Sequence, residues 1–233
     1  MYNLDQLVAW VDLSTYCNAA CPLCHRTNPV TLEKADWLPL VQWSLEQFQQ
    51  VFPVSSMHQY KQFQICGTWG DPMMNKDVLE IIQYILHTSD CSVSVDTNGS
   101  MRDPDWWWKL GAVGGQRLNV TFAVEGITQE MHSHYRQNTN LDRLLDNIEA
   151  YCSTKARAHA KVLVFKHNQD YLQQIEAMLR SRGLKQKVIF QQADRFDTGP
   201  TFHFAQSKYL EQTTDRSVRP SIKKSQQGIS NAN

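Results

Sequence analysis

The sequence lacks net charge, its 233 residues holding 23 Lys plus Arg against 23 Asp plus Glu. A neutral chain has no long-range field to gather nucleic acid or an anionic membrane, so either partner would need a local basic patch. The one basic enrichment, Arg216, Arg219, Lys223 and Lys224, lies in the tail, and neither nucleic acid nor membrane is expected as a partner. Long apolar runs are also missing. The longest, Val78 to Leu86, is broken by Glu80, Gln83 and Tyr84, and no cationic region precedes an apolar stretch at the start, so neither spanning nor secretion is expected. Cysteine is scarce: six in this length are too few for a disulfide scaffold, and none follows Cys152. Three of the six, Cys17, Cys21 and Cys24, fall within eight residues, which points to metal chemistry in a reducing, cytoplasmic setting.

The remainder is ordinary globular composition, 42% apolar or aromatic and 20% charged, and favours one domain. Six segments read as strands, at Leu7–Leu13, Lys61–Cys66, Cys91–Val95, Leu118–Val124, Lys161–Lys166 and Lys187–Phe190. Helical spacing follows most of them: Trp37, Leu40, Val41, Leu45 and Phe48 behind an Asp36 cap, Val78 to Leu86 behind Asn75, and a Trp-rich stretch after Pro104. Two more helices follow, through Leu141, Leu144, Leu145, Ile148 and Tyr151, and through Leu172, Ile175 and Leu179 behind Asp170. Strand and helix in alternation demand a parallel sheet with helical crossovers. Six units are too few for a closed eight-unit barrel, so the fold class is α/β, a partial (βα)6 TIM-type barrel of parallel strands with helices outside. Residues 1–200 form the expected core domain, and the polar 201–233 a C-terminal extension, partly disordered.

The cysteines form C-x3-C-x2-C in a loop after the first strand. Thiolates bind soft iron well, and three close in sequence can hold three corners of a 4Fe-4S cubane, leaving the fourth iron open to a small chelator. A zinc site of the three cysteines with His25 has suitable donors too, although neighbours at 24 and 25 converge poorly on one tetrahedral ion; three buried structural thiols are a further alternative.

This loop resembles that of the radical S-adenosylmethionine (radical SAM) superfamily, and later segments agree. Cys66-Gly67-Thr68-Trp69-Gly70-Asp71-Pro72 resembles the family's Gly-Gly-Glu-Pro motif, with Asp for Glu and Trp69 for the first Gly. Asp96-Thr97-Asn98-Gly99 looks like its Ser/Thr-Asn-Gly turn. The run Phe122 to Gly126, then His132 to Arg136 and the Leu141 helix, is similar to the peptide-modifying and sulfatase-maturing (SPASM-type) branch.

The resemblance implies Cys17, Cys21 and Cys24 as iron ligands of a [4Fe-4S] cluster, and SAM contacts from Leu23, Trp69, Gly70, Asp71, Thr97, Asn98, Glu125 and Arg136. Arg136 would pair with the SAM carboxylate, a task suited to a planar guanidinium, while Glu125 stands where the family usually has Asp. It further implies reductive cleavage of SAM, hydrogen abstraction from a substrate with a peptide or protein side chain as first choice, and an electron donor such as flavodoxin or ferredoxin. The auxiliary-cluster cysteines that relatives carry in a C-terminal extension have no counterpart after Cys152. The alternative is a non-catalytic, metal-stabilised binding module. Catalytic roles for His132 and His134 and stacking by Trp106, Trp107 and Trp108 are weaker readings; adjacent residues on a helix point in different directions.

Overall fold

The computed structural model describes residues 7–28, 31–193, 210–214 and 218–220. Six strands form one parallel sheet in sequence order: β1 (Leu7–Val11), β2 (Tyr60–Ile65), β3 (Ser92–Thr97), β4 (Leu118–Ala123), β5 (Arg157–Val164) and β6 (Val188–Gln192). A two-residue strand, β7 (Arg219–Pro220), extends it. Strands β1 and β7 are the two ends of the order, so the sheet is an open partial barrel. Helices lie in the crossovers: α1 (Leu45–Val51) and α2 (Val54–Met57), α3 (Val78–Thr88), α4 (Pro104–Gly114), α5 (Gln129–Ser133) and α6 (Leu141–Cys152), and α7 (Leu172–Ser181). No helix among the described residues is long and apolar enough to cross a membrane.

Strand residues alternate between two environments. Val11, Phe63, Ile65, Val93, Val95, Val120, Phe122, Ala160 and Val162 are buried in one apolar core that includes Ile81, Leu110, Leu144, Ile148 and Leu179 of the helices. The intervening residues Gln64, Ser94, Asn119, Thr121, His159 and Lys161 lie on the opposite face and are partly accessible. Such alternation marks a sheet covered on one side only.

Three expectations differ from the structure. Asp170 does not cap α7: it lies within a 3-10 turn, and Tyr171 takes the cap position without a side-chain hydrogen bond. The first helix begins at Leu45, capped by a reciprocal Ser44 and Gln47 box, instead of at Asp36. Residues 41–43 are drawn away by the cysteine loop: Trp43 N–H donates to Leu13, Thr15 N–H to Val41, and Ser14 bridges Gln42. Trp37, Leu40 and Val41, read as part of that helix from their spacing, lie outside it and are exposed. Asn75 likewise does not cap α3 itself but accepts from Asp77 N–H, the residue at the cap position, while its amide reaches Leu13 and Trp43 carbonyls.

The expected boundary at 200 and much of 201–233 fall outside the described residues. The described parts of that extension pack on the core: Leu210 and Val218 are buried, and Gln212 bridges Phe165.

The tryptophan triplet splits three ways. Trp107 is fully buried against Phe122 and Tyr151 with Nε1 donating to Met101 (2.9 Å), Trp106 carries Arg102 over its ring, and Trp108 is 52% exposed. Trp107→Ala is expected to cost about 3–5 kcal/mol of stability and Trp108→Ala under about 0.5 kcal/mol, read from denaturant midpoints. Equal midpoints for the two variants would contradict this packing.

Candidate functional site

Three loops at the carboxyl ends of β1, β2 and β3 meet at Asp71. Its carboxylate is 3% exposed and accepts from Met73 N–H (2.9 Å), Thr97 Oγ1 (2.9 Å), Asn98 N–H (2.8 Å) and Asn98 Nδ2 (2.6 Å), while Asp71 N–H donates to Tyr16 (2.8 Å). Burial pushes its pKa up, and the hydrogen bonds from Asn98, Met73 and Thr97 oppose that shift. Asn98 continues the network through Asn18 Oδ1 (2.9 Å), and Asn18 donates to Ser100 (2.9 Å).

Gly70 explains why the second loop can come so close. A Cβ there would lie 2.2 Å from the Ser14 carbonyl oxygen and 2.6 Å from that of Tyr16, so the missing side chain admits the cysteine loop. Arg26, which no sequence pattern singled out, completes the junction. Its buried guanidinium donates to the carbonyls of Trp69 (3.2 Å), Ala19 (3.4 Å) and Thr15 (3.2 Å).

Cys17, Cys21 and Cys24 line one cleft of about 350 Å³ with Leu23, Gly70, Asp71, Thr97, Asn98 and Arg136. Two expected residues stand apart from this lining. Trp69 turns its ring edge-on to Trp37 (5.4 Å) and lies near His25 (6.0 Å), and Glu125 is fully buried behind Arg136. Cys66 also reaches the cleft, whereas Cys91 is buried.

Polar hydrogens surround the sulfurs. Ala19 N–H (3.4 Å) and Asn98 Nδ2 (3.9 Å) donate to Cys17 Sγ, and Arg136 Nη1 to Cys21 Sγ (3.6 Å). Burial pushes Cys17 up to about 12 and Cys21 up to about 11, Arg136 moderating the latter. A metal cation bound beside these sulfurs would oppose the effect of burial and stabilise the thiolates. Among the described residues no group of three or more His, Cys, Asp or Glu side chains is placed to hold a single metal ion. Three soft sulfur donors lining one cleft, with N–H groups aimed at two of them, have the donor chemistry of an iron-sulfur cluster.

Arg136 is committed differently from its expectation. Nε and Nη2 form a two-pronged pair with Glu125 (2.8 and 3.0 Å), leaving Nη1 for the cysteine side. Burial alone would lower its pKa; Glu125 more than offsets this and keeps the guanidinium charged. Glu125 is fixed in turn, its N–H donating to His132 Nδ1 (3.2 Å) and its carbonyl accepting from Asn168 Nδ2 (3.0 Å). His132 is fully buried, and burial brings its pKa down to about 4, so it is a neutral structural acceptor.

No family model matches the sequence. Among curated proteins, one described as "Probable GTP 3',8-cyclase" from Methanothermobacter marburgensis is 24% identical over 139 residues, 60% of this chain and 42% of that protein. The AdoMet-dependent heme synthase of Methanosarcina barkeri is 29% identical over 136 residues, 58% and 36% of the two chains. The chain thus spans less than half the length of these relatives. In fold, it is similar to Streptococcus suis SuiB bound to S-adenosylmethionine, with a TM-score of 0.66 at 10% identity over 90% of this chain and 44% of that one. It is also similar to anSMEcpe with bound AdoMet, with a TM-score of 0.60 at 14% identity over 79% and 51% of the two chains.

Removing one member of the buried Glu125–Arg136 pair leaves an uncompensated charge. Arg136→Met is expected to destabilise the protein by about 3–5 kcal/mol, and adding Glu125→Gln to recover most of that loss. Urea titrations of the two single variants and the double variant test this, and additive losses would mean that the pair is not coupled.

Proposed function

We propose that this chain, a relative of the radical SAM enzymes in both sequence and fold, binds a [4Fe-4S] cluster and S-adenosylmethionine and starts radical chemistry on a bound substrate. The observation that carries the reading is the convergence of three thiols, the Asp71 junction and Arg136 on one cleft. Cys17, Cys21 and Cys24 would hold the cluster. When bound and given one electron, cluster and SAM supply methionine and a 5'-deoxyadenosyl radical, which takes a hydrogen atom from the substrate and leaves 5'-deoxyadenosine.

The chain's own part is positioning and exclusion. Asp71, Thr97 and Asn98 hold the polar rim, where backbone and side-chain groups receive the methionine end of SAM. Arg136 Nη1 sets positive charge beside the Cys21 sulfur, where it favours thiolate. Leu23, Tyr135, Phe165, Ala193 and Leu210 pack around the cysteines and keep water from the reacting region. A peptide or protein side chain is the substrate class, in keeping with a SuiB structure bound to its precursor peptide SuiA. A flavodoxin- or ferredoxin-type protein is the electron donor, and the cytoplasm the compartment that keeps the thiols reduced.

Anaerobic reconstitution with iron and sulfide, then dithionite and SAM, is expected to yield methionine and 5'-deoxyadenosine. Single Cys17→Ala, Cys21→Ala or Cys24→Ala variants are expected to fall to background while retaining their helical circular dichroism. A protein that assembles no cluster, or whose EPR signal ignores SAM, would overturn this function.

A further inference from the structure

Where the interior of a closed barrel is filled with branched apolar side chains, the concave face of this sheet is polar. Register sets Trp10 beside Gln64, Gln64 beside Ser94, Asp96 beside Thr121 and Ala123 beside Lys161. Gln62 Nε2 donates to Ser94 Oγ (2.9 Å) and Gln64 Nε2 to Asp96 Oδ2 (3.3 Å), so a ladder of amides leads up to the Asp96 carboxylate. Asp96, Thr121, Lys161 and Gln191 line the same cleft as the three cysteines.

Asp96 and Lys161 stand two strands apart and one same-face step along, which separates their Cα atoms by about 12 Å. Among the described residues Lys161 forms no ion pair with Asp96 or any other carboxylate. The carboxylate and the ammonium nevertheless feel each other: partial desolvation pushes the Asp96 pKa up, and Lys161 and a hydrogen bond from Thr121 oppose the shift. The other two cations in the lining are committed, Arg26 to three carbonyls and Arg136 to Glu125. One uncommitted cation among the described residues of the lining is too few for a polyphosphate, whereas opposite charges held apart in one cleft complement a ligand carrying both signs.

We propose that Asp96 and Lys161 are specificity-determining residues of the cleft, and that its substrate is an amino acid or peptide segment bearing one cationic group and one carboxylate. Asp96 receives the cation and Lys161 the carboxylate. Trp10, 73% exposed on β1, adds an apolar surface to the same lining. This inference rests on the radical SAM reading and narrows its substrate.

The test uses the full chain, reconstituted anaerobically and supplied with SAM. Its probes are the common L-amino acids, titrated singly by calorimetry, and a random hexapeptide library selected for binding. Binding by free amino acids or by peptides tells the two sources of the same chemistry apart. Selected peptides are expected to carry both an acidic and a basic residue. Lys161→Glu is expected to exchange the acidic preference for a basic one, and Asp96→Lys the reverse, each with about a tenfold or greater change in affinity for the original peptides. If charge reversal impairs folding, Asp96→Asn and Lys161→Met should each lose one preference and keep the other. Uncharged selected peptides, or the same preference in wild type and variants, would overturn the inference. So would a protein that cleaves SAM yet binds no amino acid or peptide probe. Failure of the wild type to cleave SAM at all would instead overturn the function on which it rests.

Discussion

A single carboxylate below the protein surface holds the site in register. Asp71 receives side-chain and backbone donors from the loop after β3 and donates its own N–H to the loop after β1. A carboxylate removed from water needs several charge-assisted hydrogen bonds to offset its desolvation, and here they come from Thr97 and Asn98 at the end of β3 and from Met73 in the loop after β2. Satisfying one buried carboxylate therefore aligns the loops after β2 and β3, and the Asp71 N–H ties both to the cysteine loop at Tyr16. Gly70 makes it sterically feasible, since any side chain at that position would collide with Ser14 and Tyr16. Arg26 serves the same junction from the opposite charge, gathering loop carbonyls that no strand or helix satisfies.

The sheet divides labour between its faces. On the helix side, Phe63, Val95, Val120, Phe122 and Val162 supply the apolar burial that stabilises the chain. On the concave side, Gln62, Gln64, Ser94, Asp96 and Lys161 supply donors, acceptors and charge at little cost, because that face is never fully desolvated. An open sheet therefore keeps a polar floor beneath the thiols that a fully packed barrel interior could not offer.

Much of this was legible in the residues, and the failures have physical causes. Alternation and helical spacing located all six main strands and the helices α3, α4, α6 and α7 to within a few residues. The helix expected from Asp36 failed because Trp37, Leu40 and Val41 have helical spacing, yet residues 41–43 gain backbone partners from the cysteine loop that a helix would forgo. The cysteine spacing identified the thiol cluster, and Asp71, Thr97 and Asn98 were read as neighbours of the same site. Their bonding to one another was not legible, since a family motif reports residue types near a ligand and not which of them brace each other. Arg26 left no trace in any pattern because its partners are backbone carbonyls, which every residue has. The polar floor did leave one: Asn119 and Thr121 alternate with Val120 and Phe122, as Gln62 and Gln64 do with Phe63 and Ile65. A parallel strand covered on both faces reads instead as a nearly continuous apolar run.

The apolar wall around the cysteines is assembled from distant parts of the chain. Ala19, Cys21 and Leu23 of the first loop pack with Tyr135, with Phe165 beyond β5, with Ala193 beyond β6 and with Leu210. Lys166 pairs with Glu211 beside it, and Gln169 accepts from Thr213 Oγ1 and Thr214 N–H. The residues that first emerge as a loop therefore gain their final surroundings only when the opposite end of the sheet is in place. Contacts of such sequence separation form late, because loop closure must precede their reward. The burial that raises the cysteine pKa values, the placement of Arg136 beside Cys21 and the exclusion of water are consequently properties of the completed sheet, and the cysteine loop alone has none of them.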